Sequence, residues 1–146
     1  MRSEHGSAGL ALILALVAAL LCLAWFVVRS QGPPAGPVAA VWDKTACSEC
    51  RMHLGEPGFA AQLQTSGGQV HWFDDPGCLF LFRAGERPAV HAVYYHHHEQ
   101  DHWLPEAEAA FLRVHPTPMG FGFGAVEAGR PGAVSLAAAE QEVLAR

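Results

Sequence analysis

Hydrophobic positions along the chain fall into two regimes. From Leu10 to Val28 they run without interruption, LALILALVAALLCLAWFVV, with no charge, glycine or proline. At about 1.5 Å per residue this stretch covers roughly 28 Å, enough for the hydrocarbon core of a bilayer. From Val38 onward the apolar residues come in short segments broken by glycine and proline. The segments "FAAQLQ" (59–64), "QVHWF" (69–73) and "AVHAVYY" (89–95) are rich in β-branched and aromatic residues and read as strands. "TSGG" between the first two predicts a hairpin. "DDPGCLFLFRAG" predicts a helix with Asp75 as N-cap, Pro76 as its first residue and Gly85 as its stop. "PEAEAAFLRV" predicts another helix from Pro105, with Glu106 and Glu108 at the positive end of its dipole and Leu104, before a proline, marking the boundary. "AVSL" predicts a short strand leading into the helix-forming "AAAEQEVLAR". The expected fold class is α+β, a small single domain of ββα-like units behind one N-terminal transmembrane helix.

The expected organisation is a membrane anchor over residues 1–29, a Pro/Gly linker, "SQGPPAGP", over 30–37, and the domain over 38–146. A cleaved signal peptide competes for the first segment, but its apolar core is usually ~7 to 15 residues and ends at an A-x-A-like site, which does not follow here. Lipid attachment at Cys22 calls for a small preceding residue, and Leu21 is not small. An uncleaved signal-anchor is the favoured reading. Arg2 and Arg29 flank the span on opposite sides, so charge leaves its orientation open.

Charge narrows the partners of the domain. Residues 38–146 carry seven Lys/Arg against thirteen Asp/Glu, a formal −6, which argues against nucleic acid or an anionic lipid surface. Eight of the nine histidines also lie there, so this charge moves strongly between pH 7 and pH 5.

Candidate chemistry centres on "CSECRMH", residues 47–53. Cys47 and Cys50 form a C-x-x-C, which can share a metal or oxidise together. A small disulfide is one reading and a zinc knuckle a second, although no other tight ligand pair follows to complete the knuckle. A thioredoxin-type redox site is a third, but Gly55, Pro57 and Gly58 follow where a long helix should begin. Met52 favours a fourth. Thioethers are poor ligands for zinc and good ones for Cu(I), so two thiols and a thioether on one loop suit monovalent copper. Met119, in "HPTPMGFG", also lies in a segment where neither helical nor strand periodicity accounts for an apolar side chain.

"CSECRM" followed by a hairpin, then "WFDD", and then "WLPEAEAAFLRVHPTPMGFG" resembles the NosL-type copper chaperones, accessory proteins of nitrous oxide reductase. The likeness covers roughly residues 43–124. Cys47, Cys50 and Met52 match the family's C-x-x-C-x-M, and Met119 with Gly120 matches its late Met-Gly. The resemblance implies an exported, membrane-attached carrier of ββα-type fold. It would hold Cu(I) through Cys47, Cys50, Met52 and Met119 and would have no catalytic residues; His53, adjacent to Met52, is a reserve ligand or merely a neighbour. It also implies a copper-dependent acceptor, nitrous oxide reductase or a copper oxidase, and a domain on the periplasmic or outer face of the cytoplasmic membrane. The chain departs from the family in its poor lipobox, in "YYHHHEQDHW" around the late tryptophan, and in a C-terminal part, "EAGRPGAVSLAAAEQEVLAR", that is short of a helix. A periplasmic thiol-disulfide oxidoreductase using Cys47 and Cys50, or a disulfide-stapled interaction domain, are the alternatives.

His96, His97, His98 and His102, with Glu99 and Asp101, read as an exposed polar loop, with an auxiliary Cu(II) or Zn(II) site as the functional alternative. Cys78, followed by Leu79, Phe80, Leu81 and Phe82, reads as a buried, inert thiol, and Asp74 and Asp75 as capping residues.

Overall fold

The computed structural model describes residues 4–30 and 32–146. They divide into two compact units, the first reaching Gly32 and the second running from Pro33 to Arg146. The first unit is a helix, α1 (Glu4–Ser30), whose stretch Gly9–Val28 is long and apolar enough to cross a membrane.

The second unit follows the sequence pattern closely at its start. After a 3-10 turn at Pro57–Phe59, β1 (Ala61–Thr65) and β2 (Val70–Phe73) form the expected antiparallel hairpin. Next comes α2 (Pro76–Glu86), with Asp75 as N-cap accepting a 2.9 Å bond from the Gly77 N–H. Gly85 does not end this helix. It continues to Glu86, and the C-cap Arg87 adopts the left-handed conformation at φ 49° and returns its N–H to Arg83 O. Pro88 has no N–H with which to carry the helix further.

The chain then forms β3 (Val90–His96), β4 (Trp103–Pro105), β5 (Ala109–Arg113), β6 (Phe123–Glu127), β7 (Val134–Ser135) and α3 (Leu136–Leu144). Two small antiparallel sheets result, ordered β2-β1-β3-β4 and β6-β5-β7. An isolated parallel bridge between His97, just past β3, and Ala125 of β6 joins the two sheets. The "AVSL" strand and the C-terminal helix form where they are expected, and Ser135 caps the latter.

The helix expected from Pro105 does not form. Pro105 ends β4, Glu106–Glu108 make one 3-10 turn, and the rest is β5. Tertiary packing overrides propensity here. Phe111 is fully buried, with ring contacts to Phe80 at 5.6 Å and Tyr95 at 5.0 Å, and β5 bonds to strands on both sides. A helix of this length, only marginal by itself, offers less than those two ladders.

The core lies between the helices and the sheets, around Phe73, Leu79, Phe80, Tyr95, Phe111 and Phe123. Two glutamines of β1 are buried within it. Gln62 exchanges 3.0 Å bonds with the N–H and C=O of Val38, and Gln64 donates to Gly36 O at 2.7 Å. The segment just before the domain is thereby fastened along β1.

Candidate metal centre

The loop carrying the C-x-x-C is closed by a short two-stranded pairing. An antiparallel bridge joins Ala46 to His53, Cys47 N–H donates to Met52 O at 2.7 Å, and Leu54 N–H donates to Thr45 O. Residues 48–50 form the turn, and Arg51 takes a left-handed φ of 68° to leave it. Ser48 N–H donates to Trp72 O at 2.7 Å, which holds the turn against β2. No long helix follows the motif, unlike the arrangement a thioredoxin-type site requires.

At the end of β2 the chain turns through Asp74 and Asp75 into α2, and Cys78 sits in that helix's first turn. Cys78 is buried, as expected of it, yet its sulfur is not isolated. The Sγ atoms of Cys47, Cys50 and Cys78 all lie within 4.8 Å of one another, and no histidine or carboxylate among the described residues joins them at that range. All three are free thiols, as is Cys22. Sequence reading missed the third sulfur because its apolar neighbours account for its burial. The available signal was its position on the turn that β2, the neighbour of the C-x-x-C loop, leads into.

Protons are unevenly shared among the three. A hydrogen bond from the Cys78 thiol, aided by the backbone N–H groups of Asp74, Cys50 and Glu49, holds Cys47 well below the usual thiol range, to about 5, against the opposing effect of burial. The same bond, with burial, pushes Cys78 far up. Burial also raises Cys50. Of the three, Cys47 is thus the sulfur that most readily loses its proton.

The Met119 loop reaches the same end of α2. Met119 N–H donates to Asp75 Oδ2 at 3.3 Å, and Gly122 N–H donates to the Thr117 hydroxyl at 3.1 Å. Gly77 leaves room for this approach, since a Cβ there would lie 2.2 Å from Cγ of Phe121. Asp75 therefore ties the N-terminus of α2 to the late Met-Gly segment, and burial raises its carboxyl above the ordinary value. Met119 is half-buried against the core, whereas Met52 is 54% exposed and His53 is exposed. Asp74 does not cap the helix; it is buried and accepts from Gly55 N–H at 3.4 Å.

The expected exposed loop holds for Glu99 and Asp101 but not for His96 and His97. His96 ends β3 and His97 is fully buried. His97 Nδ1 accepts from Glu99 N–H at 3.0 Å, which leaves its Nε2 to donate to Glu127 at 3.0 Å. His96 lies 3.1 Å from both His97 O and Asp101 Oδ1. Polar side chains bury here because the bridge between the sheets gives them partners.

No protein-family model matches this sequence, and no curated protein matches it. Its fold is that of a small α+β domain with two antiparallel sheets. The crystal structure of the copper chaperone NosL from Shewanella denitrificans aligns with 77% of this chain and 88% of that one, at a TM-score of 0.53 and 21% identity. The likeness is one of fold, in agreement with the family that the motifs resemble.

Proposed function

We propose that the domain binds Cu(I) and passes it to a copper-dependent acceptor, tethered through α1 to the cytoplasmic membrane and facing the periplasm or cell exterior. The convergence of three cysteine sulfurs within 4.8 Å carries this reading. Zinc prefers four tetrahedral ligands, and among the described residues no histidine or carboxylate joins the three sulfurs within 4.8 Å, so a set of three sulfurs suits the softer ion of lower coordination number. The fold likeness to a copper chaperone supports it. Cys47 and Cys50 supply thiolates, Met52 and Met119 supply thioethers, and His53 stands in reserve. Few soft ligands on loops allow an incoming ligand to enter before an outgoing one leaves, so delivery is ligand exchange and requires no bond-making chemistry. Nitrous oxide reductase and a copper oxidase are both acceptors that need such a donor.

The test is a titration of the reduced full chain, in detergent, with Cu(I) against a competing chromogenic chelator. One equivalent should be retained, with affinity reduced in Cys50→Ser and in Met119→Leu. A chain that takes no copper from the chelator rules the reading out.

A further inference from the structure

Resting on that reading, we propose that copper has two positions that share Cys47 and Cys50: an inner one completed by Cys78, and an outer one completed by Met52. Exposure changes sharply across the three-residue span Cys50-Arg51-Met52. Cys47 and Cys78 are 0% and 1% exposed, Cys50 is half-buried, and Met52 is 54% exposed. A single position cannot draw equally on a sealed sulfur of α2 and a thioether in solvent.

The inner position is dimensionally sound. A metal about 2.3 Å from three sulfurs in one plane sets them about 4 Å apart, so three sulfurs already within 4.8 Å close on it with small side-chain adjustments. Its walls are firm, because Cys47 is held by the 2.7 Å bond from its N–H to Met52 O and Cys78 rides on a helix capped by Asp75. The outer position is the reverse. Met52 follows a left-handed Arg51 and has its side chain in water, where an acceptor's ligand can reach it. In the move outward, the bond from copper to Cys78 Sγ breaks as one to Met52 Sδ forms. Copper stays Cu(I), no electron is transferred, and the freed Cys78 thiolate takes a proton from water. The inner position retains and the outer one releases.

The test uses the full chain in detergent carrying Cys22→Ser, loaded with Cu(I), and bathocuproine disulfonate as the copper acceptor. Cys78→Ser should weaken equilibrium affinity about ten-fold or more without slowing transfer. Met52→Leu should shift affinity less than about three-fold and slow transfer about ten-fold. The reverse pattern, or two variants indistinguishable from their parent, overturns the proposal. In case Cys78→Ser does not fold, the parent supplies a second measurement. The 13Cβ resonance of Cys78 should move on addition of one Cu(I), and an unmoved resonance is equally fatal. A parent that cannot compete for Cu(I) at all defeats the chaperone reading itself, which is a distinct outcome from copper retained without Cys78.

Discussion

Cys78 donates a hydrogen bond that Cys47 accepts, and this contact is the largest influence lowering the Cys47 thiol and raising that of Cys78. Copper binds thiolates, so any thiol it engages must first lose its proton. Cys47, lowered, has none to lose at neutral pH, whereas Cys50 and Cys78, both raised, each hold one. Lowering the pH therefore favours the free protein. Each proton displaced makes affinity rise about ten-fold per pH unit through the neutral range. The logarithm of the Cu(I) affinity, measured by competition between pH 6 and 8, should climb with a slope near two if both thiols are engaged. A flat profile would mean that only Cys47 and thioethers bind. In the sequence, Cys47 and Cys50 announced themselves by spacing and Met52 by its softness. Cys78 did not, because a sulfur whose neighbours already explain its burial sends no chemical signal along the chain.

Elements converge on the centre through α2, and Gly77 is where its packing can be tested. Replacing a helical glycine with alanine ordinarily stabilises by up to about 1 kcal/mol. Here the added methyl would meet the Phe121 ring at 2.2 Å, with Cβ of Phe121 itself at 2.7 Å, so the whole side chain must move. Overpacking of this kind costs roughly 1–3 kcal/mol, and the sign should reverse. Gly77→Ala should lower the denaturant midpoint and loosen the loop that Asp75 holds at Met119; a variant at least as stable as its parent would contradict this packing. The α2 helix was legible because its cap, its Pro76 and its apolar run agree. β5 was not, since its alanines and the glutamates of the turn before it favour a helix locally while Phe111 finds its partners in Phe80 and Tyr95, on elements distant in sequence. The buried His96 and His97 were hidden for a similar reason. Their partners include Glu127, thirty positions beyond His97, and a bridge between sheets that no local pattern announces.

At the scale of the whole molecule the chain combines an apolar helix with an acidic domain, and each unit has its own physics. The segment "SQGPPAGP" reads as a simple spacer, yet Gly36 and Val38 are bonded to the buried side chains of Gln64 and Gln62, so the ordered second unit begins at Pro33. Compositional reading marks proline and glycine as linker and has no means of seeing a carbonyl received by a core glutamine. The first unit presents its leucines, Trp25 and Phe26 at its surface over Gly9–Val28, and burying that stretch in lipid removes a large apolar area from water at about 25 cal/mol per Å². Fractionation should therefore recover the chain with membranes, and alkaline carbonate should fail to extract it. Inserting two lysines between Leu16 and Leu20 should release it, since a charge at the centre of a span costs about 2.5–3.5 kcal/mol. Protease added to intact spheroplasts should digest the domain if it faces outward and spare it if it faces the cytoplasm. Carbonate-extractable wild type would refute the anchor while leaving the copper chemistry of the second unit untouched, because the three sulfurs and the loops that hold them belong wholly to residues beyond Gly32.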